Sequence, residues 1–157
     1  MGDRASRAEG SGMMSVVLVA TVLTVGMVLG ASATVRADGD TYTAVSLDQV
    51  KAEVTARKAI LVDVREQREW DKGHIRGAVF MPLSQLMAWD RDGLTAAEKA
   101  TLEKTLPKGS VVYCHCAAGG RAVPGGEILA KLGYDSRPLR EGYRALIEAA
   151  FPQAPRK

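Results

Sequence analysis

The sequence predicts an α/β fold: an open, mostly parallel five-stranded sheet with helices on both faces, built from residues 38–152. Three observations point there. Ile60-Leu61-Val62-Asp63-Val64 and Val111-Val112-Tyr113 are apolar runs of strand length, as in sheets buried on both sides. Segments with helical spacing and capping signals alternate with the strand-like runs, the pattern of a sheet covered by helices. A run of small residues, Ala117-Ala118-Gly119-Gly120, joins the Val111 strand to the helix read at Val123–Leu132.

The elements follow in order. Tyr42 to Val45 reads as a short edge strand. Ser46 with Gln49 is a capping box, and Leu47, Val50 and Val54 mark one face of the helix it opens. Ile60–Val64 is the second strand. Glu66, Arg68, Glu69 and Lys72 read as a solvated helix face with favourable Glu-to-Lys spacing. Ala78 to Met81 is the third strand, stopped by Pro82, and Ser84 to Trp89 is a short helical turn. Thr95 and Glu98 form a second capping box, with Leu102 and Leu106 on the buried face. Pro107-Lys108-Gly109 turns the chain into the strand at Val111. Gly133 closes the following helix, Arg137–Leu139 is the last strand, and Tyr143–Ala150 the last helix, with Leu146, Ile147 and Ala150 inward. Trp70 and Trp89 read as packing residues.

Residues 1–37 stand apart. Arg4 and Arg7 lie in a short polar start. Met13 to Leu29 is an apolar run broken by Ser15, Thr21, Thr24 and Gly26. Ala31-Ser32-Ala33 and Val35-Arg36-Ala37 offer small residues where a signal peptidase would cut. This reads as a signal peptide, or as an uncleaved anchor over residues 13–33, since the run approaches the roughly 20 residues that span a bilayer. Either reading exports the domain, with a bacterial periplasm as the expected compartment. Membrane contact is expected only if the segment is retained. Three of the 21 basic and two of the 18 acidic residues lie in 1–37, which leaves 18 and 16 in the rest. A near-neutral domain gives no basis for nucleic-acid binding. Two cysteines make no disulfide framework. The Pro-rich end, 153–157, reads as a frayed tail.

Several motifs in order carry a family resemblance. Leu61-Val62-Asp63-Val64-Arg65-Glu66, Glu69-Trp70 and Gly73-His74-Ile75-Arg76-Gly77-Ala78 resemble the first signature of the rhodanese homology domain. Cys116-Ala117-Ala118-Gly119-Gly120-Arg121 resembles its six-residue active-site loop. Leu129 and Leu132-Gly133-Tyr134-Asp135 resemble the helix exit after it, and Arg140-Glu141-Gly142-Tyr143 the closing motif.

The resemblance implies a single-domain sulfurtransferase with Cys116 as nucleophile. Cys116 would take the outer sulfur of thiosulfate or a persulfide and pass it to a thiol or cyanide. Only the thiolate is a useful nucleophile, and a helix start with nearby cations favours it. Amide groups of Ala117, Ala118, Gly119, Gly120, Arg121 and Ala122 would hold the sulfur anion, and the planar Arg121 cation would meet the donor's oxyanion end. Two departures stand out. Ala122 replaces the hydroxyl residue common in the family, and Leu146 stands near the place of a common tryptophan. Pro124 is harmless in a first helical turn. Gly125 and Gly126 weaken the helix unless they let it pack closely on the sheet.

The partners implied are a small sulfur-containing anion, a thiol acceptor and a reducing partner protein. No cofactor is implied. Two other readings stay open: a sulfur-carrier or partner-docking module without turnover, and a phosphatase- or arsenate reductase-like enzyme. The last goes with a loop one residue longer in the family. Cys114, two residues before Cys116 on the same side of the strand, is either a buried apolar residue or a resolving thiol. A metal site is not expected, because no further Cys or His cluster accompanies the pair and His115 points to the opposite face. Asp63 and Arg65 read as an ion pair at a strand end that can also shape the site's electrostatics. His74 reads as part of a structural turn.

Overall fold

A computed structural model describes residues 41–155. The leader read at 1–37, with its anchor at 13–33, lies outside the described residues. No described helix is long and apolar enough to cross a membrane.

Four parallel strands form one sheet in the order β2-β1-β3-β4, with β1 at Ala59–Asp63, β2 at Val79–Phe80, β3 at Val111–His115 and β4 at Asp135–Pro138. The expected fifth strand at Tyr42–Val45 does not form. That segment reaches the sheet through one backbone bond, Thr43 N–H to Pro138 O at 2.8 Å, too little for a ladder.

Side chains alternate across the sheet. Val62, Val64, Val112, Cys114 and Cys116 face one core, with Leu86 and Trp89 of α3 (Leu83–Asp92), Leu102 of α4 (Ala96–Thr105) and Leu129 of α5 (Ala122–Lys131). Ala59, Leu61 and Tyr113 face the other, with Val50 of α1 (Leu47–Thr55) and Leu146 of α6 (Tyr143–Glu148). The remaining helix, α2 (Gln67–Asp71), follows β1. The helical turn read at Ser84–Trp89 thus grows to a ten-residue helix.

The two capping boxes differ. Thr95 and Glu98 bond reciprocally at the start of α4. At α1, Ser46 Oγ accepts from Gln49 N–H, but the Gln49 side chain donates to Glu53 at 2.9 Å instead of returning to the cap. Gly125 and Gly126 let α5 lie close on the sheet. An added Cβ would come within 3.0 Å of Val64 at the first and 2.7 Å of Pro138 at the second.

The tail is tied down through residue 154. Phe151 is in the core, Gln153 bridges antiparallel to Ile75, and the Ala154 N–H donates to His74 O at 2.9 Å.

Between β1 and β3 the strand order reverses: β1 connects onward to β2 on one side, β3 to β4 on the other. A crevice at the carboxyl ends of two such strands is where ligands bind in open parallel sheets. Asp63 and His115 end these strands side by side, and Cys116 comes next.

Candidate active site

Cys116 ends the β3 run and begins the loop into α5. It is 2% exposed, and both cysteines are free thiols. Ala117, Ala118 and Gly120 are exposed above it in sequence, whereas Gly119 is buried. Gly119 has φ 87°, and a Cβ there would strike the Arg140 carbonyl, so both backbone conformation and space require glycine. Gly120 needs neither, since nothing lies within 4 Å of a Cβ built on it.

Among the described residues, the main-chain N–H groups of Ala117, Ala118, Gly119, Gly120 and Arg121 donate to no protein acceptor. Internal bonding resumes at Ala122, whose N–H reaches Gly119 O at 2.8 Å. Five successive donors without a protein acceptor, between a strand end and a helix start, are the kind of groups that can hold an anion. Arg121 is the N-cap of α5 and makes no side-chain cap bond, and Ala122, the first helical residue, supplies no hydroxyl.

The loop is clamped by the chain that follows β4. The Leu139 N–H donates to Cys114 O and the Tyr143 N–H to Cys116 O, each at 2.8 Å. Gly142 lies against the Ala117 carbonyl, where any Cβ would collide. Beneath Tyr143 sits the Arg65 guanidinium, 3.9 Å from the ring centroid. Arg65 is held by Asp63 at 2.7 Å and by Gly73 O at 2.9 Å, and both charged residues are buried. Asp63 therefore acts at a distance, through Arg65 and Tyr143, on the residue that carries the thiol.

His115 is fully buried beside this pair. Its Nε2 lies 3.6 Å from Asp63 Oδ2 without a hydrogen bond, and its Nδ1 is 3.4 Å from Cys116 O. Burial pushes the imidazole below its usual value, opposed by the Asp63 charge. Cys114 is buried on the other face, 3.4 Å from Ser136 Oγ, and burial pushes its thiol up to about 12. It stays a protonated thiol at neutral pH.

Arg121 is one-third exposed and paired. Its two terminal nitrogens donate to Glu69 at 2.6 and 2.7 Å, a fork-on-fork ion pair. The guanidinium holds Glu69 down to about 2. Glu69 is thus a partner of the loop, not part of the solvated face read from sequence.

A family model for the rhodanese-like domain matches residues 46–149. The chain belongs to the rhodanese-like domain family. Comparison with curated proteins gives no match. Among solved structures, the human single-domain sulfurtransferase TSTD1 is 27% identical, with TM-score 0.56 over 70% of this chain and 97% of that one. A rhodanese-related protein from Thermoplasma volcanium is 24% identical, with TM-score 0.54 over 72% and 98% of the two chains. A rhodanese-like domain from Anabaena sp. is 20% identical, with TM-score 0.54 over 74% and 80%. The latter two are likenesses of fold.

Within this rhodanese-like domain, Cys116 through Ala122 form one continuous turn into α5 at the sheet's switch point. Asp63 and Arg65 lie behind it, and Cys114 lies in the core. His74 sits in the turn after α2, stacked on Trp70 with ring centroids 3.6 Å apart, its Nδ1 donating to Trp70 O. Sequence reasoning missed Glu69, His115 and the clamping role of Tyr143. Gly142 carried a signal, since a glycine inside a motif marks close backbone approach. Glu69 carried a signal too, in the Glu69-Trp70 pair of the first signature, but nothing local named Arg121 as its partner. A cleft of about 260 Å³ bordered by Met81, Trp89, Glu98 and Leu102 is lined by none of the loop residues.

Proposed function

We propose that this rhodanese-like domain is an exported sulfurtransferase working through a Cys116 persulfide. The observation that carries the proposal is the run of five main-chain N–H groups, directly after Cys116, that lack a protein acceptor. Such donors suit an anion that changes little in charge but moves outward by one S–S bond of roughly 2 Å.

In the first half-reaction the Cys116 thiolate attacks the outer sulfur of thiosulfate or a persulfide. The donor's S–S bond breaks, and sulfite or a thiolate leaves with the electron pair. In the second, a thiol or cyanide takes the outer sulfur and Cys116 thiolate is released. Both steps conserve charge and need no cofactor. The 2% exposure of Cys116 favours sulfur as the transferred atom, because the persulfide's outer sulfur projects past the buried one into the loop. Residues 1–37, by their apolar run and small-residue ends, would deliver the domain outside the cytoplasm, cleaved or as an anchor over 13–33.

The test is direct. Protein incubated with either donor should gain the mass of one sulfur atom on Cys116, and cyanide should release it as thiocyanate. Cys116→Ala should do neither. A wild-type protein that gains no sulfur from any donor would defeat the proposal. The Arg121–Glu69 pair favours one second reading, a carrier loaded only by a partner protein. That reading predicts a persulfide on protein isolated without reductant and no turnover with small donors.

A further inference from the structure

We infer that Glu69 sets the donor class of this site: by holding Arg121 in a neutral pair, it selects singly charged persulfides with neutral tails over dianionic oxyanion donors such as thiosulfate. The inference rests on the sulfurtransferase reading and narrows it.

Three observations carry it. The pair is bidentate, at 2.6 and 2.7 Å, so a donor's oxyanion would have to displace two charge-assisted bonds to reach the guanidinium face they occupy. Glu69 is also anchored from behind. Its Oε2 accepts the Glu66 N–H at 3.2 Å, and Glu66 in turn accepts from Ser84 N–H and Oγ at 3.2 and 2.8 Å. The carboxylate is therefore built into the junction of α2 and α3 and is not a mobile surface group. Finally, Arg65, the other cation near Cys116, is 4% exposed and committed to Asp63. Arg140, on the clamping segment, is engaged as well, its guanidinium 4.5 Å from the Tyr42 ring centroid.

The loop then offers anions its amides and little net side-chain charge. Amides suffice for one charge on sulfur. A second charge on the donor meets the Glu69 carboxylate at the rim, where both partners are one-third exposed and only partly screened. For a persulfide R–S–S⁻, Cys116–S⁻ attacks the terminal sulfur, R–S⁻ leaves with the electron pair, and Cys116–S–S⁻ remains. The same attack on thiosulfate releases sulfite as a dianion. The chemistry at Cys116 is common to both, so selection falls on the tail.

The experiment compares kcat/KM for thiosulfate and for 2-hydroxyethyl persulfide, with cyanide as common acceptor, in the full-length protein. Glu69→Gln removes the charge but keeps the size and an acceptor for Arg121. It should raise the thiosulfate-to-persulfide ratio by at least about tenfold, about 1.4 kcal/mol, mainly through the thiosulfate KM. The thiosulfate rate should also become more sensitive to salt. Glu69→Asp, which keeps the charge, should stay near the wild-type ratio. A ratio unchanged in Glu69→Gln, an equal fall for both donors, or a wild type that prefers thiosulfate would each overturn the inference while Cys116 chemistry stands. If neither donor loads Cys116 of the wild type, the sulfurtransferase reading itself fails and this inference goes with it.

Discussion

The Gly142 backbone lies against the Ala117 carbonyl with no room for a methyl group between them. This contact, with the Tyr143 N–H bond to Cys116 O, fixes the start of the loop from a segment far along the chain.

Gly142→Ala should therefore separate the clamp from the loop. Overpacking of this kind costs about 1–3 kcal/mol, and sulfur loading of Cys116 should fall with it. Gly120→Ala, with open space around its Cβ, should change stability by less than about 0.5 kcal/mol. Urea unfolding of the two variants checks the contrast.

Asp63→Asn should be far more costly. It strands the buried Arg65 guanidinium, and breaking a buried pair costs about 3–5 kcal/mol. The double variant Asp63→Leu with Arg65→Met should recover much of that loss by removing both charges. It should not recover sulfur transfer, because the support under the Tyr143 ring is gone. Denaturation midpoints and thiocyanate formation report the two effects.

Stability should fall on the acid side in two separate steps. His115 is buried neutral, below its usual 6.5, so the unfolded chain binds a proton that the folded one refuses. Its contribution is full above 6.5 and is lost as pH falls below it; His115→Phe should remove this step. Glu69 is held down to about 2 from 4.5, so its contribution is full above 4.5 and lost as pH falls toward 2. Glu69→Gln should shrink that lower step and leave the upper one, although Glu53 and Glu98, also held below their usual value by hydrogen bonds, keep part of it. Denaturant titrations between pH 7 and pH 2 resolve both.

On the alkaline side, burial holds Cys114 up to about 12 from 9.0. The unfolded thiol ionises first, so this stability is full below 9.0 and lost as pH rises toward 12. Cys114→Ala should flatten the decline, although Tyr113, also raised to about 12, keeps part of it. Iodoacetamide at pH 8 should leave Cys114 of the native Cys116→Ala protein unmodified and label it after unfolding.

The sheet was legible in the sequence because its central strands are continuous apolar runs and its helices carry caps. Tyr42–Val45 misled because short apolar segments look like edge strands, yet among the described residues only its Thr43 N–H finds a backbone partner in the sheet. The loop was legible from Cys116, Gly119 and Arg121 in a short span. Its supports were not. Glu69 meets Arg121 from 52 residues away, and the Tyr143 ring meets Arg65 through the fold alone. Helical periodicity puts Glu69 on a face but does not say what stands opposite. The tail misled for the reverse reason: prolines suggest fraying, whereas the anchoring is done by Phe151 and by backbone groups at 153 and 154.

The clamp has a bearing on biogenesis. The backbone groups that clamp the Cys116 turn from outside β3 and α5 come from residues 139–143, downstream of the thiol in the order of synthesis. A polypeptide cut short before residue 139 would carry the Cys116 thiol without the backbone clamp that fixes its turn.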